Sequence, residues 1–521
     1  MAILDYFKRK KQIRARKIAP TVQRTYLAAE VNRLFADFKV TDSSADGEIK
    51  DALPRIRARS RDLARNNSYV KRYLGLLRKN IVGKKGIMYQ SKAQNSDGTM
   101  DKAGNELVEL AFKAWGRAGV CTVDGKMSFR DVQAMAVVNE ARDGEVFIIK
   151  HYNDRFKDGV SLQFIDPDQV DHTLNIKTKN DNEIRMGVEL DEFGRPVNYH
   201  VLVDHPGDAG FAGQTRSKKY NIIPADRMIH VFKAERPGQT RGVPSTAPVM
   251  NSIKQLDGFR EAAIVAARVG ASKMGFFTSG TGDGFNADEY EGETPMMHAE
   301  SGTFTQLPQG VDFKAFDPNY PAGEFDSFNK TILKGIASGL EVGYASLAND
   351  LEATSYSSIR QGALDDRDHY TDQQEFFIDH LVRPIFECWL LSHLSFGGSA
   401  MPVSRFDKFA HASEFRGRAW SWVDPLKEMN AALAGLNGGA LPLQDIAAQY
   451  GRDSEELLSQ IQKDKALMES FGIDYKLEPY GVQKFPEMVE EDDDSDTKDD
   501  SEDGSSRELD RALITALEAV K

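Results

Sequence analysis

The chain has 521 residues, 28% charged and 40% hydrophobic, which is enough apolar side chain for several buried cores. Its net charge of -12 is unevenly spread: Glu487 to Asp510 holds 13 acidic and 2 basic residues, whereas Lys50 to Lys85 is strongly basic with only Asp51 and Asp62 against it. Cys121 and Cys388 are the only cysteines, which argues against a disulfide framework or a zinc site and fits a reducing compartment. The N-terminal apolar patch is too short for a signal peptide, and no run of about 18 apolar residues exists to cross a membrane.

Residues 1–54 read as a basic arm. In "DALPRIRARSRDLARNNSYVKRYLGLLRKNIVGKKG", Leu63, Val70, Leu74, Leu77 and Ile81 recur at helical spacing, basic residues fill the other faces, and Gly83 and Gly86 end the pattern. Residues 104–142 give two further helices with Trp115 and Phe129 as anchors. From Gly144 the period becomes two: "EVFIIKHY", "VSLQFIDPDQV", "IRMGVELDEFGRPVNYHVLV" and "RMIHVF" are strands, with Gly194 supplying a hairpin turn. A long Ala-rich helix follows over 245–277, about 28 helical residues or roughly 42 Å, with Val249, Ile253, Leu256, Ile264 and Val269 near one face.

Residues 278–322 lose helical period. A second helix, "EFDSFNKTILKGIASGL", leads to the break "ASGLEVGYASLANDLEATSYSSIRQG" and then to a long helix that Pro384 should kink. From Asp424 the pattern is wholly helical: Asp424-Pro425 starts a helix, "NGG" ends it, and Asp453 with Glu456 caps a third. The acidic run beyond Pro486 is too polar to bury a core. "SSRELDRALITALEAVK" restores an amphipathic stripe at Leu509, Leu513 and Leu517.

Catalytic motifs are missing. There is no G-x-x-x-x-G-K-[ST], "SGTGDGF" reads as a turn, and "EVFIIK" is followed by neither catalytic-loop nor metal-binding kinase signature. Asp365, His369 and Asp372 share a helical face with nothing to complete a metal site, and a solvated face is the simpler reading. His230 reads as a packing histidine, because no carboxylate motif lies near it in sequence. Asp166 and Asp168 in "FIDPDQVD" are the first suspects for an alternative reading as a divergent metal-dependent nuclease. A further alternative is a monomeric nucleic-acid adaptor acting through residues 50–85. No catalytic residue, cofactor or metal is assigned.

Five segments, "RSRDLARNNSYVKRYLGLLRKNIVGKKGI", "FIDPDQVD", "HVFKAERPGQTRGVPSTAPVM", "GLEVGYASLANDLEATSYSSIRQG" and "DPLKEMNAALAGLNGG", resemble in this order the signature segments of lambda-type phage portal proteins, over about residues 55–470. The resemblance implies an α+β portal fold: an α/β wing (55–244), a long helical stem (245–277 and 323–342), a small mixed clip (278–322), a tunnel loop (343–357), a kinked helix returning to the wing (358–423), a helical crown (424–475) and an acidic tail (476–521). It also implies an oligomeric ring of about twelve subunits with a central channel. Such a virion component, assembled in the host cytoplasm at the unique capsid vertex, passes DNA during packaging and ejection. Its implied partners are the terminase large subunit, a head-completion or adaptor protein, the major capsid and scaffold proteins, and double-stranded DNA read without sequence preference.

On this reading Tyr344, Ser346, Asn349, Asp350, Thr354, Ser355, Tyr356, Ser357, Ser358 and Arg360 line the channel. From Tyr344 to Ser358 there is no Lys or Arg, which suits a surface that must let phosphates pass. Arg55, Arg57, Arg59 and Arg61 alternate at i, i+2 and so make no single helical stripe. They are expected to form ion pairs with a neighbouring subunit or with capsid protein. Leu509, Leu513 and Leu517 are expected to bind an assembly partner.

Overall fold

A strand with apolar residues on both faces must be covered on both, and that requirement organises the chain around Glu145–Tyr152. The structure, a computed structural model, describes residues 42–179, 181–208, 219–271, 275–279, 311–315, 325–351, 356–396, 401–420, 425–449 and 454–472. It divides into two units, residues 1–423 and 424–521.

Helix α1 (Ala45–Asn66) starts at Ser44, whose side chain accepts from the Gly47 amide. Asn67 ends α1 and caps α2 (Ser68–Leu77), its side chain accepting from the Tyr69 and Val70 amides. The single basic helix expected from the pattern is therefore two, broken where an Asn side chain competes for backbone hydrogen bonds. Leu63, Val70, Leu74, Leu77 and Ile81 are all buried, as their spacing predicts. Strand β1 (Met88–Ser91) precedes α3 (Lys102–Trp115) and α4 (Phe129–Asp143). Trp115 and Phe129 pack with Phe112 in an aromatic core, and the Trp115 indole donates to the Val160 carbonyl at 3.0 Å.

Next, β2 (Glu145–Tyr152) pairs antiparallel with β3 (Val160–Ile165). Then β4 (Ile176–Lys177), β5 (Glu183–Arg185), β6 (Val188–Leu190), β7 (Pro196–Leu202) and β8 (Tyr220–Pro224) form an antiparallel sheet in that order, with Gly194 at φ 78° turning β6 into β7. Strand β9 (Met228–Phe232) returns to the free edge of β2. Val146 and Ile148 of β2 enter the helical core, while Phe147 and Ile149 enter a second core with Val188, Tyr199 and Val201. β2 is thus the wall between two cores.

The chain then crosses back against α4. Gly144 ends α4 at φ 88°, and Gly242 lies on it so closely that a Cβ at 242 would sit 1.9 Å from the Gly144 carbonyl oxygen. The Ser245 amide donates to the Ala141 carbonyl at 3.0 Å. From this anchor a short 3-10 turn (Ala247–Val249) leads into α5 (Met250–Ala271). That helix is shorter than the 245–277 expected: strand β10 (Gly275–Ser279) follows and pairs with β11 (Val311–Ala315). Val249, Ile253 and Leu256 share the core with α6 (Phe325–Gly339), but Ile264 is 58% exposed.

Within the expected loop, Tyr344–Ala348 forms a short helix, α7. Helices α8 (Tyr356–Phe377) and α9 (Arg383–Ser395) are joined by a π-turn at Ile378–Val382, immediately before Pro384. A proline ring clashes with the carbonyl four residues back, and the widened turn absorbs the clash. Helix α10 (Phe406–His411) and β12 (Ser413–Arg416), which pairs with β1, complete the first unit. The second unit holds α11 (Pro425–Asn437), α12 (Leu443–Gln449) and α13 (Ser454–Ser470), with Gly439 at φ 69° after "N" of "NGG" as the stop signal predicts.

Gly242→Ala is expected to cost about 3 kcal/mol or more in unfolding free energy, read from the urea midpoint. Gly258→Ala, a helical site with nothing within 4 Å of the added Cβ, should leave the midpoint unchanged or raise it.

Candidate functional site

Two constellations stand out, one buried and one at the surface. The buried one centres on Glu145, the first residue of β2, which is fully buried. Arg241, itself 0% exposed, donates to Glu145 from Nε at 2.9 and 3.0 Å and from Nη2 at 2.7 Å. Its remaining donors reach the carbonyls of Val170 (3.1 Å), Met186 (2.6 Å) and Pro167 (3.0 Å). Arg57 donates to Glu145 from the other side at 2.6 Å, and the Gly242 amide and His230 Nε2 lie at 3.2 and 3.1 Å.

An outer ring of charge extends this centre. Arg57 also reaches Asp168 at 2.6 Å; Arg61, one turn on, reaches Asp143 at 2.7 Å, Asp168 at 2.7 Å and Asp166 at 2.9 Å. Two expectations are corrected here. Arg57 and Arg61 stand at i, i+4 on one face and pair inside their own chain, not with a neighbouring subunit, because α1 lies across the ends of β2 and β3. His230 does have a carboxylate partner, supplied by the adjacent strand rather than by nearby sequence. It also stacks on Phe147 at 4.2 Å, so it remains a packing residue.

The charges have fixed consequences. Burial alone would push the Glu145 carboxyl up, but Arg241, the His230 hydrogen bond and Arg57 together hold it far below the usual carboxylate range. Burial pushes the His230 imidazole below its ordinary value, outweighing Glu145. Among the described residues, Asp166, Asp168 and His205 are the one group close enough to share a cation; Asp365, His369 and Asp372 are not gathered this way. Arg61 already spans both carboxylates of the first group, with Arg57 on Asp168, which is the arrangement of an ion-paired brace.

The surface constellation is formed by residues 341–351 and by α8 as far as Asp366. The Asp366 carboxylate of α8 accepts from the Gly343 amide at 2.8 Å and the Ser346 hydroxyl at 3.0 Å, capping α7 from outside its own sequence. Arg72 of α2 donates to the Ser346 carbonyl at 3.1 Å, and Leu347 is buried. The Tyr344 hydroxyl donates to Asp350 at 2.7 Å, and burial with that bond pushes the phenol up to about 12. Asn349 ends the turn at φ 55°, a left-handed position that Asn tolerates. Ser357 and Ser358 are exposed on the first turn of α8, and Arg360 is half-buried. Thr354, Ser355 and the side chain of Tyr356 lie outside the described residues, as do Leu509, Leu513 and Leu517.

Residues 31–374 match the model of the family described as phage portal protein, lambda family. The chain is 34% identical over 472 residues to the probable portal protein of Halomonas phage phiHAP-1, covering 89% of each chain. It is 24% identical over 459 residues to portal protein B of Escherichia phage lambda, covering 80% of this chain and 84% of that one. Among solved structures, a chain in the neck of an empty gene transfer agent particle aligns at 12% identity and a TM-score of 0.41, over 75% of this chain and 93% of its own. One in the virion of the native particle aligns at the same identity and score over 80% and 98%.

The class is that of a structural virion protein, not an enzyme. The chain belongs to the lambda family of phage portal proteins.

Glu145→Gln is expected to destabilise the protein by about 3–5 kcal/mol, since it leaves Arg241 buried without a counter-charge and Arg57 with Asp168 alone. In the unmodified protein both shifts are downward, so the unfolded chain binds more protons and acid destabilises. Stability should be full above pH 6.5, fall between 6.5 and 4.5 as His230 charges in the unfolded chain, and fall further below 4.5 through Glu145. Urea midpoints across pH check this, and the component below 4.5 should shrink in Glu145→Gln.

Proposed function

We propose that the chain assembles into a closed ring of about twelve subunits at the unique capsid vertex, each offering two different faces to its neighbours. The ring is the passage for DNA during packaging and ejection. The observation that carries this is the family match over residues 31–374, joined to a sequence from Tyr344 to Ser358 without Lys or Arg, whose first turn, α7, is braced by Asp366 and Arg72. In this reading Tyr344, Ser346, Asn349, Asp350, Thr354, Ser355, Tyr356, Ser357, Ser358 and Arg360 form the channel lining. Small polar groups and Asp350 offer duplex DNA neither a base-reading fork nor a phosphate clamp.

The regions take their roles from the same reading: residues 55–244 as wing, α5 and α6 as stem, 278–322 as clip and 424–475 as crown. The clip would receive the terminase large subunit and later a head-completion or adaptor protein. Scaffold and major capsid protein would meet the outer surface. The helical stripe Leu509, Leu513 and Leu517, on its acidic tether, would dock on an assembly partner.

The nuclease alternative loses its suspects to Arg57 and Arg61. The adaptor alternative loses two of its cations, Arg57 and Arg61, to the chain's own interior.

Ser357→Lys with Ser358→Lys is expected to slow DNA packaging several-fold at low salt, with recovery as salt rises, measured in a packaging assay with purified proheads. An unchanged rate at low salt would remove these residues from the channel lining. Leu513→Asp is expected to lower the fraction of proheads that contain portal, counted by quantitative immunoblot; equal incorporation would discard the tail's docking role.

A further inference from the structure

Among the described residues, the outer half of α5 is largely uncovered. From Gly258 onward most of its residues are exposed, and a groove of about 430 Å³ is lined by Asp257, Arg260, Glu261, Ile264, Val265 and Arg268. These residues fall on one helical face. Ile264 is 58% exposed and Val265 51%, so branched apolar side chain stands open in the middle of this face.

Its wall is held firmly. Asn67 donates to the Asp257 carboxylate at 3.0 and 3.1 Å, Arg260 donates to the Tyr69 hydroxyl at 3.0 Å, and Phe259 packs on Phe325 and Phe328. Two adjacent branched residues held open on a fixed helix face, rimmed by charged side chains, suit a contact with another protein surface.

The charges indicate which protein. Glu261 is exposed and has no ion-pair partner in its own chain among the described residues. Lys334 on α6 is likewise exposed and without an ion pair, its ammonium resting 5.8 Å over the Tyr344 ring. Lys334 stands in an exposed row of α6 with Ser327, Thr331 and Ser338, at i, i+4, i+7 and i+11 from Ser327. The opposite side of α6 is already committed, since Leu333, Ile336 and Ala337 are buried in the chain's own core. One helix therefore presents Glu261, flanked by Arg260 and Arg268, beside branched apolar residues, and the other presents a cation among small residues into which branched side chains can seat. Two such faces on one chain are what a head-to-tail contact requires.

We propose that the α5 groove receives the exposed row of α6 from a second copy of this chain, with Glu261 paired to the neighbour's Lys334 and Ile264 and Val265 seated among its small residues. This rests on the ring reading above and names the surface that closes the ring. The test uses full-length protein: Glu261→Lys, Lys334→Glu, the two together, and Ile264→Asp, with mass by light scattering across a dilution series and circular dichroism to confirm folding. Each single change should raise the concentration at which large assemblies dissociate by about tenfold or more, and the double reversal should restore it. Assemblies of wild-type mass and dilution behaviour in Glu261→Lys and Ile264→Asp would overturn this interface while leaving the ring reading intact. Dissociation by the single reversals without recovery in the double would overturn the Glu261–Lys334 pairing. Wild-type protein that is monomeric at every concentration, alone and on proheads, would overturn both.

Discussion

The described structure of the first unit turns on Glu145. A carboxylate removed from water is strongly unfavourable unless cations and hydrogen bonds meet it, and this one is met by Arg57 from α1, Arg241 from the crossing before α5, His230 from β9 and the Gly242 amide. Three separated stretches of chain converge on one group. None can shift without leaving buried charge uncompensated, so the network specifies how helix layer, sheet and α5 join. It does not follow that the network adds net stability: well-packed apolar groups could serve as well or better. Its value is in fixing one arrangement.

That arrangement bears on what a portal protein has to do. The root of α5 is set by the Gly144–Gly242 contact and by Arg241 one residue before it. The turn of α7 is set by Asp366 and Arg72 from two other helices. Both the long helix and the segment assigned to the channel are thus positioned by side chains from elsewhere in the unit.

Much of this was legible in the sequence. "EVFIIKHY" is the strand Glu145–Tyr152 residue for residue, and the helical stripe from Leu63 to Ile81 is buried throughout. Local patterns gave these because periodicity reports which side of an element is covered. The charged core was hidden for the opposite reason. Arg57 and Arg61 show an i, i+4 spacing, yet their partners at 143, 145, 166 and 168 lie on other elements far along the chain. Arg241 sat inside "RPGQTRGVPS", which reads as a turn, and nothing in a turn's composition announces a buried guanidinium. Ile264 shares its helical period with Ile253 and Leu256, but periodicity cannot say whether a face is covered by the same chain or by another. The proposed channel residues rest on a resemblance, and the brace on α7 by Asp366 has no local signal.

The most direct test of the central claim is averaged electron micrographs of purified full-length protein together with its particle mass. A closed ring of about twelve subunits with an open central hole in end views is the expected result. Particles that stay monomeric, or that form open filaments without a channel, even when supplied with proheads lacking portal, would contradict it.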